Sequence, residues 1–167
     1  MSARTSLRDY QRHLSERLRS AAAGRIASRL GLQVADEAWL VDLGEAGEVL
    51  PVPPITPVPL TRPWFRGVAN IRGNLYSVVD FPAFLGRTPV LLGDRARLLL
   101  LGERFRLAAA LLVDGSLGLR NPAQLQRRED APGAWSRAAY MDKEGRPWHE
   151  LDLPQLAQHP DFLSVGI

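Results

Sequence analysis

The chain has 167 residues, 46% of them apolar, enough for one ordinary domain or two small modules with a sizeable core. Cysteine is absent, which excludes a disulfide framework, a thiolate nucleophile and a zinc–thiolate site, and no apolar run approaches the roughly 18 residues that cross a bilayer. The formal net charge is +3, yet seven arginines against Asp9 and Glu16 give residues 1–30 a net +5 and leave −2 for residues 31–167. The basic excess therefore sits in an N-terminal arm, and a folded body that tracks phosphates is not indicated.

Within that arm Leu7, Tyr10, Leu14, Leu18, Ala21 or Ala22, Ile26 and Leu30 recur at the three- and four-residue spacing of one helical face. Ser6 followed by Asp9 is a weak start signal, and Gly24 is expected to end or divide the helix. An arginine-rich amphipathic segment also suits a transit peptide or a membrane surface, but the stripe lacks strong aromatic anchors. It is expected to pack on the domain behind it.

From Leu32 the texture changes to short apolar runs broken by Gly, Pro and Asp. Residues 32–34, 38–43 and 49–52 read as strands, and six prolines between Pro51 and Pro63 make a stiff extended connector. Residues 67–71 and 75–79 form a hairpin around Arg72-Gly73-Asn74, where Gly73 and Asn74 tolerate positive φ. Two more hairpins are expected, 96–101 with 105–113 and 136–141 with 147–153, and short helices at 82–85, 122–126 and 154–157. A shift of 72 residues lays Leu40-Val41-Asp42 on Leu112-Val113-Asp114, Gly73 on Gly145, Asp80 on Asp152 and Pro82 on Pro154. These identities mark the same turns in both halves and predict a duplicated β-module with a groove between the copies.

Reaction chemistry is nearly empty. His13, His149 and His159 stand apart, and Ser77 and Ser116 lack a nucleophile-elbow context. The run 44–48 places two carboxylates where a phosphate loop needs cations. Asp80 and Asp152 each precede X-Pro at a helix start, so they are expected to cap. Arg72 is different: a guanidinium at the tip of an apolar hairpin, with Glu48 available as a partner if their strands neighbour each other. An exposed pair adds little to stability, whereas a pre-oriented arginine suits an interface.

"PWFRGVANIRGNLYSVVDFPAFLG" (63–86) resembles the signature of CheW-like coupling proteins, a Gly-Val/Ile-x-Asn-hydrophobic-Arg-Gly hairpin followed by a Val-Val-Asp strand. Gly47-Glu48-Val49-Leu50 with its proline-rich connector, and "LLLLGERFRLAAALLVDGSLGL" (98–119), extend the resemblance to about residues 32–157. The wording looks closest to family members of type IV pilus twitching systems. The resemblance implies a mainly β fold of two pseudo-symmetric five-stranded SH3-like barrels around a hydrophobic groove, with short connecting helices. It divides the chain into an arm (1–30), a CheW-like domain (31–160, with 31–35 as first strand and subdomains near 36–95 and 96–157) and a tail (161–167). It further implies a non-enzymatic cytoplasmic adaptor without cofactor or metal, not inserted in the membrane but recruited to membrane-associated receptor arrays. Its partners would be the cytoplasmic tip of a methyl-accepting chemoreceptor and the regulatory domain of a CheA-like histidine kinase. By motif match Glu48, Val49, Asn70, Arg72 and Gly73 border the receptor-binding surface, and Val113, Asp114 and Gly115 lie nearer the groove. Ala46 and Ser77 depart from the pattern, and His149 and Glu150 stand where the family is apolar, which predicts a distorted or edge-exposed second barrel. The rival reading is a small nucleic-acid-binding β-barrel, which requires aromatic rings spaced as stacking platforms. Trp39, Trp64, Trp135 and Trp148 are instead scattered over different elements.

Overall fold

The computed structural model describes residues 7–130 and 132–167. Residues 1–6, Ser6 of the expected start signal among them, and the side chains of 21–27, Ile26 of the expected stripe among them, lie outside the described residues. Helix α1 (Leu7–Ala27) runs through Gly24, whose cost of about 1 kcal/mol is too small to divide 21 residues. The helix stops short of Arg29, so Arg29 and Leu30, expected in the arm, open the first strand. The stripe does not pack on the body: Leu7, Tyr10, Leu14 and Leu18 are all exposed. Only Ser28 separates α1 from that strand.

Twelve strands follow: β1 (Arg29–Val34), β2 (Glu37–Asp42), β3 (Ala46–Pro51), β4 (Ile55–Thr56), β5 (Phe65–Ile71), β6 (Asn74–Asp80), β7 (Arg97–Leu101), β8 (Ala109–Val113), β9 (Gly115–Arg120), β10 (Gln126–Arg127), β11 (Ser136–Met141) and β12 (Pro147–Leu151). They form two six-stranded sheets, β10-β11-β12-β2-β1-β9 and β3-β7-β8-β6-β5-β4. The pattern is that of two pseudo-symmetric β-modules, with six strands each rather than five and with open edges rather than closed barrels. The added members are the two-residue strands β4 and β10, too short for periodicity to show. β9 also escaped the sequence reading, because its two glycines and exposed side chains weaken any alternation.

Exchanging each of β1–β6 with the strand six places later converts one sheet order into the other, which is the internal echo in three dimensions. Pairing crosses the boundary drawn at 95/96. β2 lies parallel to β12 and β8 parallel to β6, so each module takes its first two strands from the other half of the chain. The exchange ties the halves together, since neither sheet is complete without both.

Packing explains the long apolar runs. Trp39 and Val41 of β2, Leu99 and Leu101 of β7, and Leu111 and Val113 of β8 join Phe81, Leu151 and Phe162 in a core between the sheets. The alternate residues turn the other way. Ala38 and Leu40 meet Tyr140 and Trp148 inside one sheet, while Leu98, Leu100, Ala110 and Leu112 meet Ile71 and Val78 inside the other. Strands buried on both faces need no polar alternation.

Three short helices, α2 (Phe81–Phe84), α3 (Leu153–Gln158) and α4 (Pro160–Leu163), sit at strand ends. The expected caps are in place: Asp80 accepts from the Ala83 N–H and Asp152 from the Gln155 N–H, each at 3.0 Å. The expected helix at 122–126 is a single 3₁₀ turn, Pro122–Gln124, capped by Asn121. Glu150 does not lie on an exposed edge, since β12 runs between β11 and β2, but β11 bulges opposite it, Ser136 pairing Leu151 and Ala138 pairing Glu150. It is buried in β12, where it accepts from Arg29 Nε at 2.7 Å and from the Tyr140 hydroxyl at 3.2 Å. Arg29 compensates the charge from β1, two strands away across β2.

Candidate partner-binding surface

The β5–β6 hairpin turns on two residues, Arg72 and Gly73, at φ 52° and 86°, while Asn74 already belongs to β6 and pairs with Ile71. The turn is thus one residue tighter than expected, with both central residues at positive φ as a two-residue hairpin demands. Gly73 meets this without strain. Arg72 does so against the roughly 1–2 kcal/mol penalty of an L-residue in the left-handed region. Asn70 supports the turn, its Oδ1 accepting the Gly73 N–H at 2.9 Å. Arg72 is thereby aimed outward with 70% of its side chain accessible.

Glu48 meets it. Arg72 Nη2 donates to Glu48 Oε1 at 2.5 Å, although β3 and the hairpin strands are not neighbours in their sheet. The sheet curls, bringing its β3 edge round to the hairpin tip. β3 carries a register shift between Ala46 and Val49, and a Cβ on the intervening Gly47 would meet Leu100 O at 3.0 Å. This bulge presses β3 against β7 and turns Glu48 outward. The hydrogen bond from Arg72 holds the Glu48 carboxyl below its ordinary value, and the same bond raises Arg72. Val49 lies half-buried against the core between the sheets, so it shapes the base of this corner.

The second group of expected residues is elsewhere. β8 pairs Val113 with Arg97 and Leu112 with Asp80, placing Val113 at the end of the sheet opposite the Arg72 tip. Val113 is fully buried and offers no surface to a partner. Asp114 is half-buried and accepts the Ala35 N–H at 2.6 Å, tying the β1–β2 turn to the β8–β9 turn. It forms the shared wall of two clefts, of about 610 and 550 Å³, with Leu91 also lining both. Gly115 opens β9 beside it.

Leu91, 88% exposed, is a surface feature that the sequence reading missed. Its loop is pinned from below by Asp80, whose second carboxylate oxygen accepts the Val90 N–H at 3.0 Å while Arg66 approaches at 3.4 Å. Burial pushes the Asp80 carboxyl above its usual value in spite of these partners. The signal was present in Arg66 and Asp80 at the matching ends of two adjacent strands, but only pairing register makes them neighbours. Among the described residues no cluster of His, Cys, Asp and Glu could hold a metal, and no helix is long and apolar enough to cross a membrane.

Two interleaved sheets of pseudo-symmetric order, with an outward arginine held by a carboxylate at one corner and a cleft-lined turn at the other end, define a β adaptor-type module. The family model of the CheW-like domain matches residues 29–161, and the chain belongs to that family. It is 30% identical over 168 residues to protein PilI of Pseudomonas aeruginosa, covering 92% of this chain and 93% of that protein. The fold is shared with the scaffolding protein TtCheW from Thermoanaerobacter tengcongensis, at a TM-score of 0.66 and 17% identity over 81% of this chain and 94% of that one.

Proposed function

We propose that this chain is a non-enzymatic cytoplasmic adaptor that couples a chemoreceptor-like protein to a CheA-like histidine kinase in a chemosensory system for type IV pilus motility. The observation that carries the reading is the Glu48–Arg72 corner: an exposed guanidinium in a left-handed turn, pre-oriented by a carboxylate from another strand. Such a pair contributes little to folding at this exposure, and backbone strain of this kind collects at functional positions. Membership of the CheW-like family and kinship with PilI support the partner classes and the pilus setting.

An adaptor needs two different surfaces, and the broken symmetry of the modules supports that. The shift that carries Asp80 onto Asp152 carries Arg72 onto Glu144, so the second hairpin tip holds a carboxylate where the first holds a guanidinium. Arg120 and Glu144 share a cleft of about 490 Å³ with Asp142. In this reading the adaptor works by holding two partners in fixed register. Signal then passes only through contacts that differ between kinase states.

The test is Arg72→Glu in a pull-down against receptor tips and the kinase regulatory domain, with circular dichroism confirming the fold. Loss of receptor capture with kinase capture retained is expected. Full receptor affinity in a folded variant refutes the role of Arg72. Retention instead of RNA, with a steep salt dependence, would turn the reading toward nucleic acid.

A further inference from the structure

Two features of the described surface bear on each other. One is the α1 stripe, where Leu7, Tyr10, Leu14 and Leu18 are 77%, 63%, 48% and 64% exposed. They follow the i, i+3, i+7 and i+11 spacing by which an amphipathic helix lies in a groove. The other is a cleft of about 450 Å³ walled by Trp64, Phe84 and Trp135, with Arg62, Pro160, Asp161 and Ser164 completing its lining. Phe84 stands at 90° to Trp64 with centroids 5.1 Å apart, and at 52° to Trp135 at 5.3 Å. Phe162 backs the same ring from the core at 5.7 Å.

The cleft is firmly built. Trp135 sits at φ 66°, a region that bulky L-residues rarely adopt, and its ring packs edge-on against His159 at 4.6 Å. On the far side of the Phe84–Trp135 pair a second cleft of about 230 Å³ continues past Trp39 and Leu85. Together the two recesses offer an aromatic trough for successive turns of a helix.

Charge and connectivity say what lies there. Residues 1–30 carry +5 and residues 31–167 carry −2, so two arms repel while an arm and a body attract overall, Arg62 in the cleft being offset by Asp161. The helix does not lie with its stripe on its own body, since Leu7, Tyr10, Leu14 and Leu18 are exposed. A single residue joins it to β1, and the first side chain of β1 is fixed by Glu150 at 2.7 Å and Asp42 at 3.4 Å. We propose that the chain self-associates reciprocally, the Leu7–Leu18 stripe of one copy lying in the Trp64–Phe84–Trp135 cleft of a second copy.

Sedimentation velocity on the full chain tests this with two surface variants. Leu14→Glu spoils the stripe at an exposed position, and Ser164→Lys places bulk and positive charge on the exposed cleft rim. The wild type should dimerise, more weakly at about 0.1 M than at about 0.01 M salt, where the Debye length shrinks from about 30 to about 10 Å. Each variant alone should raise the dimer Kd by about tenfold or more. An equimolar mixture should recover a one-to-one pair, because the intact arm of Ser164→Lys meets the intact cleft of Leu14→Glu. A monomeric wild type overturns the proposal. So does a Ser164→Lys variant that dimerises normally, which would mean arm-to-arm pairing, or a mixture that stays monomeric while the wild type dimerises.

Discussion

Replacing Arg29 by methionine tests how the structure tolerates a carboxylate inside a β-module. The Glu150 side chain is 6% exposed and Arg29 22% exposed, with Nε donating to the carboxylate at 2.7 Å. Asp42 lies 3.4 Å from the same guanidinium, but it is the more exposed acid and can be rehydrated. Removing one member of a buried pair leaves an uncompensated charge, at a cost of about 3–5 kcal/mol. Against a total stability of about 5–15 kcal/mol this is a large fraction, and it lowers Tm on the order of 6–20 °C in a chain of this size. Urea denaturation at neutral pH reads it as a fall in the midpoint with the slope unchanged. The companion variant Arg29→Met/Glu150→Leu removes both charges and should regain most of the loss. The Tyr140 hydroxyl then lacks its 3.2 Å acceptor, a residual deficit of about 1 kcal/mol that Tyr140→Phe relieves. If Arg29→Met costs under about 1 kcal/mol, or costs the same in the Glu150→Leu background, the pairing argument is wrong.

Glu48 has a folded pKa below its ordinary 4.5, so its contribution is present above that value and is lost as pH falls through the lower folded pKa. The stability difference between the wild type and Glu48→Gln should therefore vanish in acid. Asp80 is raised above its ordinary 3.8 and acts with the opposite sign, its contribution being lost as pH rises through the folded value, which is why the difference must be taken against the single variant. Gly67→Ala drives a Cβ into the Thr56 carbonyl oxygen at φ 128°, and should cost roughly 1–3 kcal/mol and release amide protection at β4. Leu111→Ala, at a fully buried position between the sheets, should cost about 2–5 kcal/mol, while Leu119→Ala on the exposed edge stays within about 0.5 kcal/mol.

What could be read from the chain depended on whether a feature was local. The Asp80, Asp152 and Asn121 caps are set by neighbours within four residues and stand where the sequence places them, while the Arg72 turn is one residue tighter and the helix after Asn121 shorter than expected. The Glu48–Arg72 contact was expected between neighbouring strands, but it forms by the curling of a sheet in which those strands are apart. Glu150 misled for the same reason. Its compensating cation is 121 residues away, so sequence shows only an acid in an apolar strand. The α1 stripe has the periodicity of a packing face whether or not a partner is supplied by the same molecule. Val113 was expected near the groove only by motif match, and its side chain goes into the core between the sheets.

The Glu48–Arg72 pair allows a final separation between holding the hairpin and being recognised. If the Glu48–Arg72 pair serves only to fix the turn, its polarity is immaterial, since either order gives one bond between opposite charges at the same exposed corner. The double exchange Glu48→Arg/Arg72→Glu keeps two opposite charges at the same exposed separation and should leave the urea midpoint close to that of the wild type. Recognition is another matter, because a partner surface complementary to an outward guanidinium meets a carboxylate there instead, and like charges brought together at an interface strongly disfavour the complex. Receptor capture should therefore stay lost in the double exchange, as in Arg72→Glu alone. Recovery of capture would mean that the pair acts through turn geometry and that the backbone of the hairpin, with Asn70 and Gly73, is the recognised element.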